Sequence, residues 1–260
     1  MSQLIDKLNR VSQTVPQPMG FRTAQAATPK PKLLLIASLT QVNVDRLDDY
    51  VAGADGVLLP ISQSSEAKAI QEVSRLVPDI PWGVWLRDSD QHQIEQIAKA
   101  GCDFVVFPAA KTPLAILEND AVGKILEVEA SLSDGLLRAI DGLPVDAVLI
   151  VGEWENDHFL TWHHLIVFQR FANFLTKPLL VSLPLNTTAS ELQALWEAGV
   201  DGLIIEIKAG QPADRVSKLR QAIDKLTLPT KCKRRKAEAL VPHIAPERAT
   251  ATEEEEEEEE

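Results

Sequence analysis

Between Lys32 and Leu226 the chain alternates short, nearly unbroken apolar runs with longer stretches in which apolar residues recur at helical spacing. The short runs form two interleaved sets. In the first, a small-residue turn leads through an aspartate into the run: Asp55 before Gly56-Val57-Leu58-Leu59, Asp103 before Phe104-Val105-Val106-Phe107, Asp146 before Ala147-Val148-Leu149-Ile150, and Asp201 before Gly202-Leu203-Ile204-Ile205. The second set lies halfway between these and is led mostly by lysine or proline: Lys32 to Ala37, Pro81 to Leu86, Lys124 to Glu129, and Lys177 to Ser182. Runs without polar alternation suit parallel strands buried on both faces. The aspartates recur roughly fifty residues apart, so each interval holds two strand–helix units.

The stretches between the runs carry helix signals. Ser64-Ser65-Glu66 and Thr188-Ala189-Ser190-Glu191 open with hydroxyl caps, and Gly53, Gly101 and Gly199 stand where a helix ends in a left-handed residue. Eight strands is a closing number for a parallel sheet, and the glycine-rich first turn of an open dinucleotide-binding sheet is missing. The predicted architecture is one compact (β/α)8 TIM barrel over residues 32–228. Residues 1–31 are read as a helix from Leu4 to Gln13 and a linker, forming either a plug over one barrel end or a disordered leader. Residues 229–260 are read as a disordered, basic-then-acidic tail.

Composition fits one domain with tails. The chain has 260 residues, of which 45% are hydrophobic, enough for a sizeable core. Most of the net charge of −12 comes from eight consecutive glutamates, Glu253–Glu260, preceded by the basic run Lys231 to Lys236. Such adjoining blocks read as a self-neutralising tail and argue against nucleic-acid binding. No window is apolar enough for a membrane span and no signal-peptide layout opens the chain, so the expected location is cytoplasmic. Cys102 and Cys232 stand in unlike surroundings and read as free thiols.

The turns Ala52-Gly53-Ala54-Asp55-Gly56-Val57, Ala100-Gly101-Cys102-Asp103-Phe104 and Glu197-Ala198-Gly199-Val200-Asp201-Gly202 resemble the helix-to-strand turns of aldolase-type and phosphate-binding TIM barrels. The resemblance spans the barrel segment and implies the fold without singling out a member family. Class I aldolases of that group carry a Schiff-base lysine on the sixth strand, where this chain has Val151-Gly152-Glu153. Phosphate-binding members use glycine-rich turns after strands seven and eight, where this chain has Pro184-Leu185-Asn186-Thr187-Thr188 and Lys208-Ala209-Gly210.

In a barrel the chemistry lies at the C-terminal ends of the strands, so the four aspartates at the strand starts are expected to tie the scaffold together. The opposite rim supplies the candidates. Glu129, Glu153, Glu206 and Lys208 are the expected acid–base residues, and Arg87, Lys111, Trp154, His158, Asn186 and Thr187 the expected substrate contacts. Glu206 and Lys208 share one parity on strand eight, as do Glu127 and Glu129 on strand five. A Schiff base on Lys208 or Lys111, and a hard cation held by Glu129, Glu153 and Glu206, are weaker readings than ion pairing among these groups. No metal site is expected, and neither a cofactor nor an oligomeric state follows from the sequence. Two function classes result: a small-molecule enzyme of the lyase or isomerase kind, or a non-catalytic barrel that binds a partner through its charged tail.

Overall fold

The computed structural model describes residues 2–12, 32–40, 50–61, 80–87, 96–97, 99–151, 159–184, 186–208, 212 and 214–226. The expected linker, the helix opening at Ser64 and the charged tail lie outside the described residues. Eight parallel strands close into one barrel in chain order: β1 Leu34–Thr40, β2 Gly56–Ile61, β3 Trp82–Leu86, β4 Phe104–Pro108, β5 Gly123–Glu129, β6 Ala147–Val151, β7 Leu179–Leu183 and β8 Gly202–Lys208. The described helices are α1 Gln3–Ser12, α2 Asp134–Asp141, α3 Trp162–Phe174, α4 Ala189–Glu197 and α5 Arg215–Lys225.

One expected helix is absent. The connection from β4 to β5 holds only a 3-10 turn, Leu114–Glu118. So short a connection, interrupted by Pro113, cannot hold an α-helix as tall as the barrel together with two loops.

The four repeated aspartates are scaffold. Leu35 N–H donates to Asp55 Oδ2 at 3.0 Å, Lys124 N–H to Asp146 Oδ2 at 2.7 Å, and Leu179 N–H to Asp201 Oδ2 at 2.9 Å. Each carboxylate thus fastens the foot of its own strand to the first turn of the strand before it. The lysines heading the second set have a matching task. Lys32 Nζ donates to the carbonyls of Asp224 and Leu226 at the end of α5, Lys124 Nζ to that of Asn119, and Lys177 Nζ to those of Leu143 and Val145. Carbonyls left over where connections end are satisfied by the ammonium opening the next strand. Gly53, Gly101 and Gly199 have φ of 91°, 84° and 94°, the left-handed conformation expected of them.

Asp103 departs from this pattern because it serves α1. Gln3 N–H and Leu4 N–H donate to its two oxygens at 2.7 and 2.9 Å, and the Ser2 hydroxyl donates at 2.8 Å. The N-terminal helix is a plug. Its Leu4, Ile5, Leu8 and Val11 are buried in one cluster with the inward residues of the barrel. Room for them comes from glycines: a Cβ on Gly56 would lie 3.0 Å from Leu4, one on Gly202 3.3 Å from Leu8, and one on Gly123 2.5 Å from Ile5.

Candidate functional site at the C-terminal mouth

The strand registers add up to a shear of about 8 residues per circuit, the value for an eight-stranded barrel of this kind. With that shear, inward side chains of alternate strands lie level in layers of four. From the plug upward, Gly56, Phe104, Ala147 and Gly202 are followed by Ile36, Gly83, Ile125 and Leu180, then by Leu58, Val106, Leu149 and Ile204. Up to this height the interior is apolar, and its larger side chains belong to a single cluster. The next layer is Ser38, Trp85, Glu127 and Ser182, and above it stand Pro60, Pro108, Val151 and Glu206. The first polar side chains of the interior therefore appear in the Ser38 layer, mixed with Trp85 and, one layer higher, with Pro60, Pro108 and Val151, at the end where barrel chemistry resides.

Exposure follows the same geometry. On β5, Glu127 is half-buried and Glu129 exposed while Val128 between them is buried; on β8, Glu206 and Lys208 are exposed around buried Ile207; on β7, Ser182 is half-buried beside buried Leu183. On these three strands the outward residues are buried and the inward ones reach solvent, whereas Ser38 and Trp85 on β1 and β3 stay buried. That is an open mouth.

At its floor the indole Nε1–H of Trp85 donates to Glu127 Oε2 at 2.6 Å, joining β3 to β5 across the barrel. Ser38 is only 2% exposed, and its side chain has no hydrogen-bond partner among the described residues. Higher up, Thr40 Oγ1–H donates to Glu206 Oε1 at 3.1 Å, and Lys208 Nζ stands 3.6 Å from Glu206 Oε2. The Arg87 guanidinium lies 5.6 Å from the centre of the Trp85 ring.

The sequence candidates divide accordingly. Glu129, Glu206, Lys208 and Arg87 lie at the mouth. Glu206 and Lys208 form a mutual ion pair, and Glu129 accepts from the Ser131 hydroxyl at 3.2 Å. The Lys208 side chain is 63% exposed, which withholds the desolvation that Schiff-base chemistry draws on. Lys111 lies exposed beyond β4. Asn186 and Thr187 belong to the turn into α4: Asn186 Oδ1 accepts from Arg215 Nη1 at 2.8 Å, and Thr187 Oγ1–H donates to the Pro184 carbonyl at 2.8 Å. Glu153, Trp154 and His158 lie outside the described residues. Among the described residues, no group of three or more His, Cys, Asp or Glu converges as a metal site.

Ser38, Glu127 and Ser182 fall at the ends of their strand runs, where the sequence places the candidate site, whereas Trp85, inside an apolar run, gives no such signal. The closed sheet puts all four on the inside. Only the shear shows that they are level.

No protein-family model matches the sequence, and no curated protein matches it. Solved structures match the fold broadly, in 573 chains, too many to single out one activity. Among them is a mutant tryptophan synthase alpha-subunit from the hyperthermophile Pyrococcus furiosus, with a TM-score of 0.59 at 12% identity, covering 74% of this chain and 97% of its own. A native KDPGal structure matches with a TM-score of 0.54 at 17% identity, covering 78% of this chain and 96% of its own. A designed cube-shaped, highly porous protein cage built by fusing symmetric oligomeric domains matches with a TM-score of 0.55 at 18% identity, covering 75% of this chain and 72% of its own. At these identities the likeness establishes the TIM-barrel fold. Among the described residues no helix is long and apolar enough to cross a membrane.

Proposed function

We propose that this protein is an enzyme of the lyase or isomerase kind, acting by acid–base chemistry on a small molecule held in the C-terminal mouth of the barrel. The reading rests on one observation: at the ends of β5, β7 and β8 the inward residues Glu127, Glu129, Ser182, Glu206 and Lys208 are polar and reach solvent, while their outward neighbours Val128, Leu183 and Ile207 are apolar and buried. Of these carboxylates only Glu127 is half-buried, held by the Trp85 indole, and a partly buried carboxylate with a single neutral partner is the group that most needs a ligand to explain it. The fold of the alpha-subunit of tryptophan synthase and of KDPGal agrees with an enzyme without specifying its reaction.

In this reading Glu127 moves the proton. Among the described residues its carboxylate reaches deepest into the mouth, and the bond from Trp85 fixes its orientation. Glu206 stands one layer higher and Lys208 three, where the ammonium offsets negative charge developing on a substrate oxygen. Glu129 and Arg87 line the same rim, and Glu153, Trp154 and His158 follow β6 directly in sequence, so ligand contacts are assigned to them as well. The test is a thermal-shift screen against hydroxy acids, keto acids, sugars and sugar phosphates. A ligand at a hundred times its dissociation constant raises stability by about 2.7 kcal/mol. Stabilisation of the natural protein that is lost in Glu127→Gln supports the reading, and stabilisation unchanged in Glu127→Gln and Glu206→Gln places the site elsewhere.

A second reading, a non-catalytic binding or scaffold protein, is favoured by α3, which is apolar on both faces. Val167, Phe168 and Phe171 are buried while Trp162 is 82% and Ile166 61% exposed. Trp162 and Ile166 lie one turn apart, an exposed apolar stripe beside the polar residues His163, Gln169 and Asn173, of the kind another chain covers. Light scattering separates the readings: Trp162→Asp reduces the particle mass if this face is covered by another chain.

A further inference from the structure

We infer that the floor of the mouth takes the hydrogen-bond-donating end of its ligand, a hydroxylated or ammonium-bearing group, and excludes anions. The inference rests on the mouth being the ligand site, and it names the chemistry of the end that reaches deepest.

Three observations converge on the layer of Ser38, Trp85, Glu127 and Ser182. The first is the Ser38 hydroxyl, 2% exposed, on an inward position and unpartnered among the described residues. A buried hydroxyl without a partner costs about 1–3 kcal/mol, so a fold under no other demand would carry alanine or valine there. The second is the sign of the floor. Glu127 is the only charged member of this layer, and its one neutral partner there, the Trp85 indole, leaves the negative charge in place. A carboxylate accepts and never donates. The group that docks on it must therefore bring hydrogens, and the two serine hydroxyls in the same layer can donate or accept as that group requires. The third is where the positive charge has gone. Lys208 is turned to Glu206 at 3.6 Å, and Arg87 lies against the Trp85 face. Both rise from layers above the floor, the Arg87 guanidinium held over the Trp85 ring, so among the described residues a phosphate or carboxylate driven down to Ser38 would meet Glu127 with no cation rooted in its layer.

Below the floor, Leu58, Val106, Leu149 and Ile204 are level and apolar, which stops the ligand there. The inserted end is thus short: one or two hydroxyl- or amine-bearing carbons.

The experiment follows the Trp85 indole N–H resonance by two-dimensional NMR, assigned through Trp85→Phe. It uses four probes: glucose and glucosamine as neutral and cationic donors, and inorganic phosphate and pyruvate as anions. The expected result is a saturable shift of that resonance with glucose, glucosamine or both, and none with the anions. Binding weakens about tenfold in Glu127→Gln, which keeps an acceptor for the indole but removes the charge. Ser38→Ala is the second variant. It weakens the same probes several-fold while raising the melting temperature, because it deletes an unsatisfied buried group; a serine of purely structural value would lower it. A shift with phosphate or pyruvate that vanishes in Lys208→Met overturns the inference and leaves the mouth as a ligand site for anions. Silence from all four probes at 50 mM, together with an unmoved melting temperature in Ser38→Ala, overturns both.

Discussion

The Asp103 carboxylate accepts the backbone amide of Leu4 at 2.9 Å, so the N-terminus of α1 is capped by a residue from the foot of β4, about a hundred residues away. The local cap is Ser2, whose Oγ accepts from Ile5 N–H at 3.3 Å, and Asp103 adds a second cap from the barrel foot. The helix and the barrel therefore close together, with Leu4 seated against Gly56 beneath the bond.

Asp103→Ala removes the acceptor for the amides of Gln3 and Leu4 and for the Ser2 hydroxyl. We expect a loss of about 2 kcal/mol in urea unfolding. Amide exchange across residues 3–12 accelerates well beyond that of the strands. Asp103→Asn, which keeps one acceptor oxygen, loses less. Unchanged protection of α1 in the alanine variant would contradict the capping role.

Gly123→Ala tests the plug from the other side. The new methyl would sit 2.5 Å from Ile5 Cγ1 and 2.8 Å from Ser2 Oγ, so α1 must shift outward, at a cost of about 1–3 kcal/mol. Ile5→Ala relieves the clash. In a double-mutant cycle the pair is therefore less destabilising than the sum of the single changes, and strict additivity would mean that the helix does not seat on Gly123.

Burial pushes the Cys102 thiol from 9.0 up to about 12, with the neighbouring Asp103 charge adding to the effect. The thiolate is the reactive form, so Cys102 resists iodoacetamide at pH 8 in the native state and reacts once the chain is unfolded. The linkage has a definite sign. Between about pH 9 and 12 the unfolded thiol has lost its proton and the native one keeps it, so unfolding releases a proton and native stability falls as pH rises through that window. Mass spectrometry of native protein alkylated at Cys102 at pH 8 would refute this.

His164 lies at the third position of α3 and closes its capping box: Thr161 N–H donates to His164 Nδ1 at 3.0 Å. Desolvation, and then the charge of His163, lower its pKa below the usual 6.5. A native histidine that resists protonation stabilises the fold above the unfolded value, and that contribution is lost as pH falls below it. Protonated Nδ1 can no longer accept, and a cation at a helix N-terminus is unfavourable. Amide exchange at the start of α3 should rise below about pH 6 in the natural protein and show no such step in His164→Gln.

Much of this molecule is legible in the order of its residues. The eight apolar runs locate the strands because a strand buried on both faces admits no polar alternation. The aspartates before four of them mark the barrel foot, and three bond the backbone as their position implies. Parity puts Glu127 with Glu129, and Glu206 with Lys208, on one side of their strands, and the closed sheet decides that this side is the inside. The connection from β4 to β5 departs from the strand–helix alternation, with a 3-10 turn at Leu114–Glu118, because periodicity says which residues are apolar, not whether the chain is long enough to turn. Tertiary structure decided the rest. Height inside a barrel depends on strand tilt, which accumulates register by register around the ring, so no single segment reveals that Ser38 lies level with Trp85, Glu127 and Ser182. Likewise the local sequence of α1 holds an apolar stripe but no destination; the glycines at 56, 123 and 202 and the carboxylate of Asp103, far apart in the chain, become a socket only when the sheet closes.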